Sequence, residues 1–304
     1  MDMNKIKNLL INTQYEPLID YVEKITLKNF VYDNLYRIGN SESGYYAIKI
    51  RKKDQMNALD SIKNLKMITD KENIMHKNID VMEKEDVIIT ISDWLEGKQP
   101  IDNYRNTLPE FFSKLALFNL ENISNGPYTS MYLDCKYFNS VDELIDYEVN
   151  YHKKYIIESI NFEPISETLE ILKKGVPCII NEDMNCGNLF ITKDGKYKII
   201  DTEWIINGIN LYQFQHFDYF GFDSREWYKI TDEAKECYRA YFETLGISHA
   251  EANEQTRAIE LLNTLRSNTY WKCTGNDNDR EFETRIKIIM ENKNPLYKKV
   301  ESRK

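Results

Sequence analysis

Residues Cys178 to Trp204 read CIINEDMNCGNLFITKDGKYKIIDTEW, and the fold is decided by how this stretch is parsed. An apolar run, Cys178-Ile179-Ile180, leads into a polar loop. Two short strands follow, Leu189 to Thr192 and Lys196 to Ile200, joined through Asp194-Gly195. An Asp-Gly pair between apolar runs is a strong hairpin signal, because glycine takes positive φ without steric cost. Asp183 and Asn188 share the loop with four residues between them, and Asp201 closes the second strand.

That spacing suits phosphoryl transfer. Such a site needs a carboxylate to orient the attacking hydroxyl and accept its proton, and hard oxygen ligands for Mg²⁺ against the phosphates. Asp183 is the expected catalytic residue. Asn188 and Asp201 are the expected metal ligands, the hairpin returning the chain so that Asp201 meets the same ion. Taken alone, an Asp and an Asn five positions apart describe many solvated turns. The ordered set of strand, loop, hairpin and terminal acid is much more specific.

The segment resembles the aminoglycoside phosphotransferase and choline kinase group of small-molecule kinases, whose motif runs roughly H-x-D-x-x-x-x-N and then I-D-W or I-D-x-E. Asn181-Glu182-Asp183 through Asn188 and Ile200-Asp201-Thr202-Glu203-Trp204 carry the match. Asn181 departs from it, standing where the family has His, a residue that supports the loop rather than doing chemistry. The resemblance implies an α+β, two-lobed protein-kinase-like fold, with a small antiparallel-sheet lobe over 1–97 and a mainly helical lobe over 98–304. It also implies ATP and Mg²⁺ as cofactors and a small-molecule hydroxyl acceptor. The stretch from Gly208 to Phe222 is similar to the family's continuation, in which Asp218 would brace the loop.

Composition agrees with a folded enzyme. The 304 residues are 42% hydrophobic and 12% aromatic, which excludes a disordered chain. A net charge of −9 disfavours nucleic acid as a partner, since binding a phosphate backbone needs clustered Lys and Arg. Five scattered cysteines without a C-x-x-C pair argue against zinc or a disulfide framework, and point to reduced thiols in a cytoplasm. No apolar run is long enough to span a bilayer, and the polar start is not a secretory signal.

Upstream, Ile25 to Phe30, Leu35 to Ile38, Tyr45 to Ile50 and Val87 to Ile91 read as strands, with a helix marked by Met56, Leu59, Ile62 and Leu65. Lys49 lies in the third strand, in the position of the lysine that pairs with nucleotide phosphates. No Glu occurs between Lys49 and Glu72, so Asp60, on the helix, is the preferred acid partner over Asp54. Neither G-x-G-x-x-G nor a Walker loop is present, and residues 29–34 are left to cover the phosphates. Ser92 to Gly97 is the expected connector between lobes, and by resemblance the backbone of Asp93 and Leu95 would meet the adenine edge. Helical patterns are expected over Leu108 to Ile123, Val141 to Ile160, Ile165 to Lys174, Ala234 to Leu245 and Ala250 to Arg266.

Glu203, Asp218, Asp223 and Glu226 add negative charge near the site, and Trp204, Trp227 and Trp271 could face a cation. A cationic acceptor, aminoglycoside-like or choline-like, is therefore expected. A protein kinase would need an A-P-E-like segment end, which is missing after Asp201. A catalytically inactive, kinase-like binder of nucleotide or partner is the other alternative, and Asn181 is its best argument.

Overall fold

In the computed structural model of the chain, the described residues are 3–25, 35–53, 58–76, 78–84, 86–98, 108–134, 136–184, 188–214, 232–276, 278–291 and 295–297. The first lobe is an antiparallel sheet of five strands: β1 (Glu23–Lys24), β2 (Leu35–Asn40), β3 (Gly44–Lys52), β4 (Asp80–Lys84) and β5 (Val87–Asp93), in spatial order β1-β2-β3-β5-β4. β5 is an unbroken β-branched run, and Val87 to Ile91 are all buried. That is the signature of a central strand covered on both faces. On one face, Ile48, Ile50, Val87, Ile89 and Ile91 pack with Ile6 and Leu10 of α1 (Met3–Leu10) and with Tyr15. On the other, Ile88 meets Ile62 of α2 (Ala58–Met67). The turn from β2 to β3 forms because Asn40 Oδ1 accepts from the backbone N–H groups of Glu42 and Ser43, both at 2.9 Å.

The second lobe is mainly helical: α3 (Leu108–Glu121), α4 (Val141–Lys153), α5 (Glu163–Leu169), α6 (Asp232–Thr244), α7 (His249–Cys273) and α8 (Asp279–Met290). Phe111 and Phe112 of α3 and Tyr238, Tyr241 and Phe242 of α6 close a core around Phe214, whose ring centroid is 4.9 Å from that of Tyr238 and 4.8 Å from that of Tyr241. Edge-to-face geometry of this kind adds to area burial. Ser140 caps α4 by accepting from Glu143 N at 3.1 Å, and Ser248 caps α7 by accepting from Glu251 N at 3.3 Å. Thr256 and Thr264 lie buried in α7 and donate to the carbonyls one turn back, each at 2.7 Å, so that polar residues are tolerated inside the lobe. No helix among the described residues is long and apolar enough to cross a membrane.

The expected α+β architecture is present, with local differences. α4 stops at Lys153, short of Ile160, because the chain tightens into bonds from Tyr155 N to His152 O and from Ile156 N to Lys153 O. The expected 165–174 helix divides into α5 and a 3₁₀ turn, Glu170–Lys174. β4, α8 and a strand at 205–209 were not expected. The strand anticipated over Ile25 to Phe30, and the loop 29–34, lie almost wholly outside the described residues.

Candidate active site

Four short strands build the site: β7 (Pro177–Asn181), β8 (Leu189–Thr192), β9 (Tyr197–Ile199) and β10 (Ile205–Ile209). β7 pairs antiparallel with β10, and β8 with β9 through the Gly195 turn, where φ is +80°. β6 (Gly97–Lys98), at the connector between the lobes, pairs with β8. Only glycine fits at position 97, because a Cβ there would sit 2.0 Å from the Ile191 carbonyl oxygen. The connector is thus sewn to the hairpin that carries Asp201.

The three residues of the expected motif converge. Asn188 Nδ2 donates to Asp183 Oδ2 at 2.9 Å and to the Asp183 carbonyl at 2.6 Å. Its amide nitrogen is spent on Asp183, which leaves the amide oxygen as the atom for a cation. Ile200 N donates to the Asn188 carbonyl at 2.9 Å, tying the loop to the strand end before Asp201. Asn181, at the expected histidine position, ties the two segments together: its Nδ2 donates to the Asp201 carbonyl at 2.5 Å, and its Oδ1 accepts from Asp183 N at 3.1 Å. A carboxamide carries donors on one side and an acceptor on the other, so it can bridge two backbone groups.

Lys49 reaches across from β3. Its Nζ lies 3.2 Å from both Asp201 carboxylate oxygens and 2.7 Å from Glu203 Oε1. Burial works against the ammonium, but Asp201 and Glu203 outweigh it and hold the Lys49 pKa above its ordinary value. This arrangement corrects the expected pairing. Asp60 is exposed on α2 and accepts from the Tyr137 hydroxyl instead. α2 presents its polar face to the backbone after Asp201, Ser61 donating to the Glu203 carbonyl and Asn64 to the Ile205 carbonyl at 3.0 Å. An acid on α2 is not needed, because Glu203 supplies the charge. Glu203, one of the acids anticipated for an amine, is paired with Lys49, which it shares with Asp201. Asp54, Asp218, Asp223, Glu226 and Trp227 lie outside the described residues.

At the connector, Asp93 is exposed at the end of β5 and Leu95 is half-buried. The Asp93 carbonyl is held by His76 Nε2 at 2.9 Å. His76 N in turn donates to the Ile199 carbonyl at 2.9 Å, so one residue links the connector to β9. Burial lowers the His76 pKa below its ordinary value.

Two features had no reading in the sequence. Arg51, two residues along β3 from Lys49 and so on the same face, is 4% exposed, and its Nε has no hydrogen-bond partner among the described residues. Behind the loop lies a buried charge cluster. Arg266 Nε donates to Glu148 Oε1 at 2.6 Å, and Arg266 Nη2 to Glu182 Oε1 at 3.2 Å. The partners are 118 and 84 residues apart, so no local pattern marks them.

Among the described residues no group of three or more His, Cys, Asp or Glu could hold a metal. The donor set of Asn188 amide oxygen and Asp201 carboxylate is nevertheless hard oxygen, and fits Mg²⁺ that takes its other ligands from phosphate and water.

No protein-family model and no curated protein matches the chain. Solved structures do. A Plasmodium vivax ethanolamine kinase is 14% identical over 93% of this chain and 84% of its own, with a TM-score of 0.58. The choline kinase LicA from Streptococcus pneumoniae is 14% identical over 95% and 96%, with a TM-score of 0.50. A thermostable aminoglycoside phosphotransferase APH(4)-Ia, solved with AMP-PNP and hygromycin B, is 14% identical over 95% and 98%, with a TM-score of 0.61. The chain shares the fold of these small-molecule kinases over nearly its whole length.

Proposed function

We propose that this protein is an ATP-dependent O-phosphotransferase that moves the γ-phosphoryl group to a hydroxyl of a small molecule. The observation that carries the reading is the ion pair between Lys49 and Asp201 at 3.2 Å, which joins the sheet lobe to the end of the hairpin that follows the loop holding Asp183 and Asn188. A lysine, a loop carboxylate, an amide and a strand-end carboxylate are the parts that phosphoryl transfer requires.

The nucleotide would enter between the 1–97 and 98–304 lobes. Its adenine edge would meet the connector backbone at Leu95 and at the remaining lone pair of the Asp93 carbonyl. Lys49 would turn from Asp201 to the phosphates while staying paired with Glu203. Asn188 and Asp201 would hold Mg²⁺, which supplies charge neutralisation on the phosphate oxygens when bound. Asp183, aimed by Asn188 and Asn181, would orient the acceptor hydroxyl and take its proton on a carboxylate oxygen as the hydroxyl attacks. Glu203 would keep Lys49 charged and aligned.

A hydroxylated amine is the acceptor class favoured. The solved structures that share the fold support it, being those of an ethanolamine kinase, a choline kinase and an aminoglycoside phosphotransferase. Against a catalytically inactive, kinase-like binder of nucleotide or partner, the active reading is supported by Asn181, which bonds the backbone on both sides of the site. Incubation with ATP, Mg²⁺ and a panel of amino-alcohols and aminoglycosides, read by mass spectrometry, tests the assignment. A phosphorylated amino-alcohol or aminoglycoside is expected. Phosphorylation of only neutral or anionic alcohols would remove the amine and keep the kinase, and no phosphorylated product from any acceptor would remove both.

A further inference from the structure

We propose that Arg266 and Glu182 are positioning residues for Asp183: the guanidinium, anchored by Glu148, grips the side chain one residue before the loop carboxylate and fixes where that carboxylate points. The inference rests on the phosphotransferase reading for its catalytic consequence, but its structural part stands independently.

Glu182 sits in the bend directly after β7, so anchoring its side chain inside the lobe fixes the backbone from which the Asp183 side chain departs. Glu182 is fully buried, and its backbone N–H donates to the Trp204 carbonyl at 3.1 Å. Its carboxylate accepts from Ser130 Oγ at 2.8 Å, Met131 N at 2.6 Å and Arg266 Nη2 at 3.2 Å. Arg266 is itself clamped. Glu148 takes its Nε at 2.6 Å, and the Tyr132 and Tyr212 rings flank it, with centroids 4.3 Å and 4.5 Å from Cζ. Tyr212 OH also donates to Glu148, and His152 Nε2 lies 3.5 Å from that carboxylate. One guanidinium therefore faces two buried carboxylates.

A single positive charge cannot neutralise both acids in a medium this dry, so one of them tends to hold a proton. Glu148, with Arg266 and Tyr212 directly on it, stays ionised. Burial pushes Glu182 up to about 7, against the pull of Arg266 and with the help of Glu148. The Ser130 hydroxyl can reverse to accept that proton. The groups facing Glu182 are Arg266 of α7, Glu148 and His152 of α4, Tyr212 after β10, Tyr132, and Asp183 beside it. A clamp that changes charge near neutrality makes the set of the loop depend on pH.

The test uses Glu182→Gln and Arg266→Lys. Arg266→Ala would leave two buried acids unpaired and is expected not to fold. Backbone hydrogen exchange over 178–184, read by mass spectrometry without nucleotide, should quicken in both variants while α7 and β5 keep wild-type protection. Wild-type stability should fall as pH rises from about 4.5 to about 7, because the folded chain holds a proton that the unfolded chain has released; Glu182→Gln should lose this slope. With a working acceptor, kcat should drop about ten- to a hundredfold while KM for ATP stays within about twofold, and the inflection of kcat near pH 7 should vanish in Glu182→Gln. Wild-type exchange in 178–184 in both variants, or an unchanged pH profile in Glu182→Gln, would overturn the proposal. A wild-type chain that phosphorylates nothing would instead remove the phosphotransferase reading and leave the clamp to be judged on exchange and the stability slope.

Discussion

The side chain of Asn181 joins Asp201 to Asp183, donating to the carbonyl of one at 2.5 Å and accepting from the amide of the other at 3.1 Å. One buried carboxamide therefore holds together the backbones that carry the two expected catalytic and metal-binding acids. Asn181→Ala removes both of these bonds, each worth about 1–3 kcal/mol where water cannot replace it. The expected outcome is a lower thermal midpoint together with a drop in kcat larger than any change in ATP affinity. Calorimetric melts and steady-state kinetics check this, and a fully active, fully stable Asn181→Ala would show that the bridge is dispensable.

The pairing of Lys49 separates two acids that sequence alone could not rank. Glu203→Gln removes a carboxylate 2.7 Å from the ammonium and is expected to weaken Mg-ATP binding several-fold. Asp60→Asn, at an exposed position on α2, is expected to leave it within about twofold. Isothermal titration of Mg-ATP into both variants decides. The reverse order would return Asp60 to the role of lysine partner.

How far the site was legible follows from these two cases. Asp183, Asn188 and Asp201 lie in one segment of local pairings, so spacing and the Asp194-Gly195 turn were enough to bring them together. Lys49 was marked by its strand. Its partner was not, because the choice between Asp60 and Glu203 depends on how α2 sits against the backbone after Asp201, a tertiary contact made by Ser61 and Asn64. β10 was overlooked because Ile205 to Ile209 contains Asn207 and Gly208, which read as loop until the strand is paired with β7. The Glu148–Arg266–Glu182 cluster is set entirely by helix packing, and its residues read in sequence as ordinary charged positions on helix or loop.

Acid should act on Glu148 in a defined window. Burial alone would raise its pKa, but the Arg266 guanidinium and the neighbouring His152 ring outweigh burial and hold it at about 2. A depressed folded-state pKa means that the contribution to stability is present above the unfolded value of about 4.5 and is lost as pH falls toward 2. Chemical denaturation between pH 2 and 5 should therefore show a slope in the wild type that is shallower in Glu148→Gln. Equal slopes would mean that Glu148 is not ionised in the folded chain.

The central claim is that Asp183 serves the acceptor hydroxyl rather than the nucleotide. The direct test is kcat for a phosphorylated acceptor together with the dissociation constant for Mg-ATP, measured on wild type and Asp183→Asn. General-base and positioning roles are worth about 10²- to 10⁴-fold, so kcat should fall by that factor while the ATP dissociation constant stays near wild type. A near-normal kcat in Asp183→Asn, or a loss confined to ATP affinity, would contradict the assignment.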